Sequence, residues 1–344
     1  MYNKTLWFDF ENAPHVWVLK EIIKTLESKG YKAFITARDF SNTLSLCDYL
    51  NIPYTDVSVN KNNSGKISKF YSIFLRSVKL KRLLRNNNIK PLIAISHGSR
   101  SQALASSFLG IKQISLDDYE YSFSGFNRYV NYLLTPFPVQ KEDWGKYKNK
   151  VINYPGLKEE LYLCNKENYC SNDIYLDNTK INIIFRPEST TAHYSNKESN
   201  ELQEIVINKF EEQQSKIFVI LFPRDDNQKN EICEKFFSRG INYYLPEKSI
   251  NGPAIISKCD LLIGGGGTMT REACVLGIPS YTFFKGKLGA VDKHLIKEKK
   301  LFIIKEKNDM EQIVFDKVNE HNINISGDAL KFVTEFIEKT ISGN

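Results

Sequence analysis

Asp260-Leu261-Leu262-Ile263-Gly264-Gly265-Gly266-Gly267-Thr268-Met269-Thr270-Arg271-Glu272-Ala273-Cys274-Val275-Leu276-Gly277-Ile278-Pro279 runs from an apolar stretch into four glycines, then into a helical stretch that stops at Gly277 before Pro279. The apolar residues predict a buried strand. Glycines let the chain turn sharply and approach a ligand with no Cβ in the way. The helical turn that follows leaves N–H groups unpaired, and the positive end of the helix dipole backs them. Gly264, Gly265, Gly266, Gly267, Thr268 and Met269 therefore form a candidate cradle for a diphosphate that needs no metal. The glycines follow neither the GxGxxG nor the GxxxxGK[ST] spacing, which argues against a nicotinamide site and a P-loop. A tight β–α turn with incidental glycines is the plainer alternative. Glu272, about one turn into the helix, is placed to accept both hydroxyls of a ribose; an exposed helix residue is the bland alternative.

On either side of this segment, short apolar runs alternate with helical ones. In the first half Leu6–Phe10, Lys32–Ala37, Pro91–Ser96, Gln113–Leu116 and Tyr132–Thr135 read as strands. In the second half Ile181–Phe185, Lys216–Phe222, Asp260–Ile263, Ser280–Phe283 and Leu301–Ile304 repeat the pattern. Strict β/α alternation predicts parallel sheets with right-handed crossovers. A chain of 344 residues is long for one such core and comfortable for two. Pro155-Gly156 and the polar stretch from Lys158 to Lys180 mark the junction. The expected domains are 1–157 and 158–325, with a final helix in 326–344 packing back on the first.

Composition is that of an ordinary globular protein, 42% hydrophobic and 25% charged. The first residues reach an acid at Asp9 too soon for a signal peptide, and no apolar run approaches the ~18 residues of a membrane span. A cytoplasmic protein is expected. Six cysteines with no CxxC pair and no Cys/His cluster make a zinc site or a disulfide framework improbable. The net charge of +7 is uneven: residues 1–170 carry about +9 and the rest about −2. The excess gathers in 66–85, where Lys69, Arg76, Lys79, Lys81, Arg82 and Arg85 alternate with apolar residues from Phe70 to Leu84. That is an amphipathic basic helix, either a solvated helix with a core stripe or a docking surface for an anionic membrane. Nucleic acid is disfavoured, since no RNA or DNA module accompanies the charge.

Chemistry-bearing residues gather where strands end, the ligand-binding edge of doubly wound sheets. Asp9-Phe10-Glu11-Asn12-Ala13-Pro14-His15-Val16 closes the first strand. His15 there can take a proton from an acceptor hydroxyl, with Asp9 and Glu11 as competing bases and helix capping as the structural alternative. Ser96-His97-Gly98-Ser99-Arg100 and Leu116-Asp117-Asp118-Tyr119-Glu120 close two more strands. Phe185-Arg186-Pro187-Glu188 and Phe222-Pro223-Arg224-Asp225-Asp226 put Arg186 and Arg224 near the glycines, where guanidinium groups can neutralise a leaving diphosphate in place of magnesium.

On these residues the chain resembles known families. The stretch Tyr244–Ile250, followed by Ala254–Asp260 and the glycines, resembles the donor half of GT-B-fold enzymes, in particular the peptidoglycan N-acetylglucosaminyltransferase and the UDP-N-acetylglucosamine 2-epimerases. The resemblance implies that Glu272 grips a uridine ribose, that Gly264–Gly267 and Thr268 hold the diphosphate, and that the loop from Leu245 to Ile250 lies beside the base. Asp292 is a candidate contact for the donor sugar. Ala13-Pro14-His15-Val16 resembles the Gly-Gly-His-Val turn of the peptidoglycan enzyme. The two His97 and Asp117 segments resemble the His-Gly-Asp and His-Val-Glu-Ala-Gly-Leu-Arg segments of the epimerases, but Ser99 stands where those enzymes put an acid. Over nearly its full length the chain is similar to a poorly characterised family of predicted bacterial and archaeal glycosyltransferases opened by a Trp-Phe-Asp-x-x-Asn-x-Pro-His-Val pattern.

The fold class expected is α/β and GT-B-like: two facing Rossmann-like domains with parallel sheets and a cleft between them. The activity expected is transfer of a sugar from a nucleotide-sugar, first a UDP-sugar, to a glycan or lipid-linked acceptor, with no cofactor and no metal. Catalysis falls to His15, Glu11, Asp9 or Asp118, and acceptor or sugar contacts to Asn12, His97, Asp117 and Asp292. The rival is an epimerase, which needs no acceptor. Peripheral contact with the inner face of the plasma membrane through 66–85 is a further expectation.

Overall fold

The computed structural model describes residues 4–59, 66–122, 124–170, 175–188, 197–246, 250–318 and 323–343. The chain divides into two compact units: residues 1–162, 289–291 and 326–344 form the first, 163–288 and 292–325 the second.

The first unit is built on a parallel sheet of β1 (Thr5–Phe10), β2 (Lys32–Ala37), β3 (Thr55–Asp56), β4 (Ala94–His97), β5 (Gln113–Leu116), β6 (Tyr132–Pro136) and β7 (Val151–Tyr154), in the order β3-β2-β1-β4-β5-β6-β7. Its crossovers include α1 (Ala13–Ser28), α2 (Thr43–Tyr49), α3 (Lys66–Asn86) and α4 (Arg100–Leu109), and α5 (Glu160–Leu163) follows β7. The second unit repeats the plan with β8 (Ile181–Arg186), β9 (Ile217–Leu221), β10 (Tyr243–Tyr244), β11 (Leu261–Gly264), β12 (Ser280–Thr282) and β13 (Leu301–Ile303), all parallel, in the order β10-β9-β8-β11-β12-β13. Its helices are α6 (Lys197–Glu212), α7 (Asp226–Ser238), α8 (Gly252–Ile256), α9 (Thr268–Val275) and most of α10 (Ala290–Lys297). The last helix, α11 (Asp328–Ser342), belongs to the first unit. There Lys29 pairs with Glu338 at 2.6 Å and Phe336 meets Tyr132 edge-on.

In both sheets the chain starts in the middle, winds outward, then crosses to the other side. The strand order reverses between β1 and β4 and again between β8 and β11. Carboxyl ends of strands at such a reversal open a crevice no crossover covers, and ligands bind there. Both units are therefore Rossmann-like α/β folds, the class read from the alternation.

Three strands escaped the sequence: β3, β7 and β10. Each lies at a sheet edge, pairs on one side, and is only two to four residues long. A strand covered on one side needs no continuous apolar run, so its signal is weak. The first unit also runs past the expected boundary at 157. Leu161 and Tyr162 are fully buried, and Tyr162 stacks on Trp17 of α1. Residues 289–291 count with this unit because the Ala290 amide donates to Glu120 Oε1 at 2.9 Å and Gly289 approaches the Tyr119 ring, which a Cβ would meet at 3.0 Å.

The basic helix needs a correction. Its second half is core, with Leu80 and Leu84 packed beside Trp7, Val57, Ala94 and Ala105. Arg76, counted among the outward cations, is 1% exposed. Its neighbours Phe70, Tyr71 and Phe74 are about half exposed, at 51%, 62% and 49%. The apolar stripe thus splits, core in one half and surface in the other, with Phe70 stacked on Phe126 at 6.0 Å. Among the described residues no helix is long and apolar enough to cross a membrane.

Candidate functional site

In the first unit the strand reversal brings together the ends of β1 and β4. Asp9, paired in register with Thr36 and Ser96, is fully buried. Arg76 grips both of its oxygens at 2.7 Å, while Ser99 Oγ donates to Oδ2 and Thr36 Oγ1 to Oδ1, each at 2.5 Å. Burial pushes this carboxyl up, but Arg76 and the hydroxyls outweigh it and hold the pKa below its ordinary value. Asp9 is therefore a buried anchor and not an available base. Glu11 shares the same guanidinium, Oε1 lying 3.5 Å from Arg76 Nη1, and accepts from Ser101 Oγ at 3.4 Å. Asp118 is only 6% exposed, and Lys158 holds its Oδ2 at 2.7 Å. Three of the four candidate bases are thus tied to cations.

His15 is the exception. It occupies the first turn of α1, whose N-cap is Asn12, with Asn12 Oδ1 accepting from Ala13 N at 3.0 Å. Asn12 caps this helix, so His15 is not spent on capping, and the Asn12 oxygen is not held out for an acceptor. His15 Nδ1 is buried with no hydrogen-bond partner. Burial, then the nearby His97 and Lys158, push its pKa well below 6.5, with Asp118 opposing. The ring is neutral at neutral pH and keeps a lone pair.

His97, at the end of β4, packs against His15 with ring centroids 4.8 Å apart. Both line a pocket of about 160 Å³ together with Ser99, Arg100, Asp117 and Phe126. Asp117 accepts from Tyr119 N and Ser122 Oγ. Burial raises its pKa to about 6, with His97 opposing and Asp118 reinforcing. Read in the sequence as a sugar contact or a match to the epimerases' second acid, Asp117 keeps its proton to a higher pH than an ordinary carboxyl. The sequence reading missed Lys158 altogether, although it follows the end of β7 closely, as the other site residues follow their strands.

In the second unit the reversal brings the end of β8 to the end of β11, and register pairs Arg186 with Gly264. The four glycines are not equivalent. A Cβ on Gly265 would meet Glu188 Cα at 2.5 Å, so close strand packing dictates that glycine. Gly266 and Gly267 adopt φ of +79° and +100°, where only glycine is comfortable. Gly267 is the N-cap of α9 and makes no side-chain capping hydrogen bond there. The nearest group to a Cβ at Gly267 would be Arg224 Nη2, at 3.8 Å. Arg224 is fixed there by bonds to the carbonyls of Pro187 and Gly266, at 3.0 and 3.2 Å. Thr268 and Met269, half-buried, form the first turn.

Arg186 has its pKa lowered to about 9 by burial and by Arg224, with Glu272 opposing. Burial lowers Arg224 as well, with Glu188 opposing. Two guanidinium groups that disfavour each other beside an open helix N-terminus gain when an anion joins them. Glu272 is 4% exposed, which removes the reading of a solvated helix residue. Asp292, expected at the donor sugar, is held by Arg271 through two bonds of 2.8 and 2.9 Å. Leu245 packs against the core of this unit, and residues 247–249 of the same loop lie outside the described residues. Among the described residues no group of three or more His, Cys, Asp and Glu is set to hold a metal ion.

A family model described as Protein of unknown function (DUF354) matches residues 4–336. An uncharacterized protein of Methanocaldococcus jannaschii is 25% identical over 328 residues, covering 91% of each chain. Among solved structures, the UDP-GlcNAc 2-epimerase of M. jannaschii in complex with UDP-GlcNAc and UDP superposes with a TM-score of 0.73 at 16% identity, covering 97% of this chain and 99% of the other. The UDP-GlcNAc 2-epimerase of Neisseria meningitidis bound to UDP-GlcNAc gives 0.72 at 14%, covering 99% and 100%. MurG of Acinetobacter baumannii gives 0.56 at 13%, covering 97% and 99%. At these identities the likeness shows the fold, a GT-B-like pair of Rossmann-like domains.

Proposed function

The chain belongs to the DUF354 family of unknown function, and from that premise we propose that it is a metal-independent glycosyltransferase using a nucleotide-sugar, first a UDP-sugar, and a glycan or lipid-linked acceptor. The observation that carries this reading is the second unit's turn: Gly266 and Gly267 at positive φ, an uncapped helix start, and Arg224 pinned beside it. Arg186 and Arg224 offset the charge that develops on a leaving diphosphate. Glu272 accepts from the ribose. In the first unit neutral His15 takes the proton of the acceptor hydroxyl.

An epimerase reading is the alternative, supported by Asp117 with its pKa near 6 and by the fold shared with two UDP-GlcNAc 2-epimerases. Ser99 favours the transferase. That position caps α4, accepting from Gln102 N, and its hydroxyl is spent on Asp9, so it offers no second acid. NMR of the purified protein with a UDP-sugar alone, then with glycan or lipid acceptors, decides between them. Turnover of the nucleotide-sugar without any acceptor would reject the transferase.

Two measurements test the donor half. UDP at a hundredfold excess over its Kd should stabilise the protein by about 2.7 kcal/mol and raise Tm. The rise should persist in chelator, because arginines stand in for the metal; its loss in chelator would overturn metal independence. Glu272→Ala should weaken UDP binding by about 1–3 kcal/mol, the effect of losing a hydrogen bond to a charged group. Unchanged affinity by calorimetry removes Glu272 from the ribose.

The exposed Phe70, Tyr71 and Phe74, beside Lys69 and Lys79, support docking on an anionic membrane near a lipid-linked acceptor. Co-sedimentation should favour anionic vesicles at low salt and fade as salt screens the charge. Binding indifferent to both would return α3 to an ordinary solvated helix.

A further inference from the structure

The polar connector between the two halves begins at Lys158, where a solvated side chain is the natural expectation, yet this lysine is 4% exposed. An ammonium group is kept out of water only when partners compensate it. Its Nζ lies 2.7 Å from Asp118 Oδ2 and 3.5 Å from Glu159 Oε1, and Glu159 is itself fully buried. The second oxygen of Asp118 lies 3.4 Å from His97 Nε2, an electrostatic approach and not an aligned hydrogen bond, and His97 packs on His15. Lys158, Asp118, His97 and His15 come from the turn after β7, the loop after β5, the end of β4 and the start of α1.

We infer that Lys158 is a positioning residue: it grips Asp118 by one carboxylate oxygen, turns the other toward His97, and so holds the ring that packs against His15. The inference rests on the reading of His15 as the proton acceptor and adds the group that orders the histidine pair. Several charged and titratable groups surround the pair. Burial above all keeps His15 neutral; His97, Lys158 and Arg38 act in the same direction, and Asp118 opposes them. Asp117 faces His97, Arg100 lines the pocket wall, and Glu159 and Tyr154 lie within reach of the same carboxylates. Without the ammonium, His15 loses a cation that disfavours its protonation while the Asp118 carboxylate that favours it remains. The pKa of His15 must then rise.

The test compares Lys158→Met with Lys158→Arg in the full chain, reading the imidazole resonances of His15 and His97 by NMR across pH and the pH profile of turnover. Lys158→Met should raise the His15 titration by about one unit or more, the scale of an unbalanced neighbouring charge. Lys158→Arg, which keeps charge and grip, should leave it near that of the unmodified protein. An unmoved His15 titration in folded Lys158→Met, or equal shifts in both variants, overturns the inference. If Lys158→Met fails to fold, the double variant Lys158→Met, Asp118→Asn removes both charges. It should lose at least about tenfold in kcat with KM for the nucleotide-sugar unchanged, and turnover equal to the unmodified protein overturns the positioning role. A His15 titration that moves as expected, in a protein whose turnover ignores His15→Ala, sinks the catalytic reading and leaves Lys158 in place.

Discussion

Replacing Arg76 by methionine should destabilise the protein by about 3–5 kcal/mol, the usual consequence of stranding one half of a buried ion pair. The magnitude follows from the environment. Both partners are essentially out of water, and Arg76 uses three nitrogens, two on Asp9 and Nε on the Val57 carbonyl at 3.0 Å. A solvent-exposed pair contributes only about 0–1 kcal/mol, so urea denaturation separates the two cases readily. Adding Asp9→Asn to Arg76→Met should recover much of the loss. The amide carries no charge; its oxygen still accepts from one of the two hydroxyls of Ser99 and Thr36, and its NH2 donates to the other. The pH dependence has a definite sign: Asp9 has a depressed pKa in the folded state, so its contribution is present above the ordinary 3.8 and is lost as pH falls through the lower, folded value. In Arg76→Met the carboxyl keeps its burial without its cation, and stability should begin to depend on pH above 3.8. A loss under about 1 kcal/mol would mean that water reaches the pair.

Arg76 also shows where sequence reading stops. Its place among the clustered cations of 66–85 gave it the look of a surface residue. Helical spacing assigns a face, but α3 is long enough that its two halves meet different surroundings. Only the partner 67 residues away explains why this arginine turns inward. Asp9 has the same history: a carboxylate at a strand end is read as reactive until its four hydrogen bonds are seen. Local signals served much better where one short segment holds the whole feature. The glycine turn needed only β11, four residues and α9, all contiguous, and the alternation of apolar runs was enough for both sheets except at their edges. Even there the glycines had separate reasons. Gly265 answers to the Glu188 backbone, a contact between segments more than seventy residues apart, while Gly266 and Gly267 answer to their own φ. Asp292 and Lys158 have one thing in common: their surroundings are set by Arg271 and Asp118, which the sequence does not place beside them.

His15→Ala should lower turnover by about 10²–10⁴, the ordinary contribution of a general base, while UDP affinity stays intact because Arg186, Arg224 and Glu272 belong to the second unit. The other candidates give the expectation its force: Asp9 and Glu11 share Arg76, and Asp118 is held by Lys158. The pH profile adds a test that the sequence alone set differently. A free histidine would make the rate rise near pH 6.5, but burial together with His97 and Lys158 moves His15 well below that value. The rate should therefore be flat from about pH 6.5 upward, since only the neutral imidazole accepts a proton and it is already neutral there. Asp117, raised to about 6, is the competitor to separate. If Asp117 were the base, the acid limb would lie near 6 and vanish in Asp117→Asn, while His15→Ala would cost far less. If His15 is the base, Asp117→Asn should leave the limb well below 6.5 and reduce turnover modestly through lost orientation of the acceptor. Near-normal turnover in His15→Ala with an unchanged profile would reject the assignment and leave the proposal of diphosphate binding in the second unit untouched.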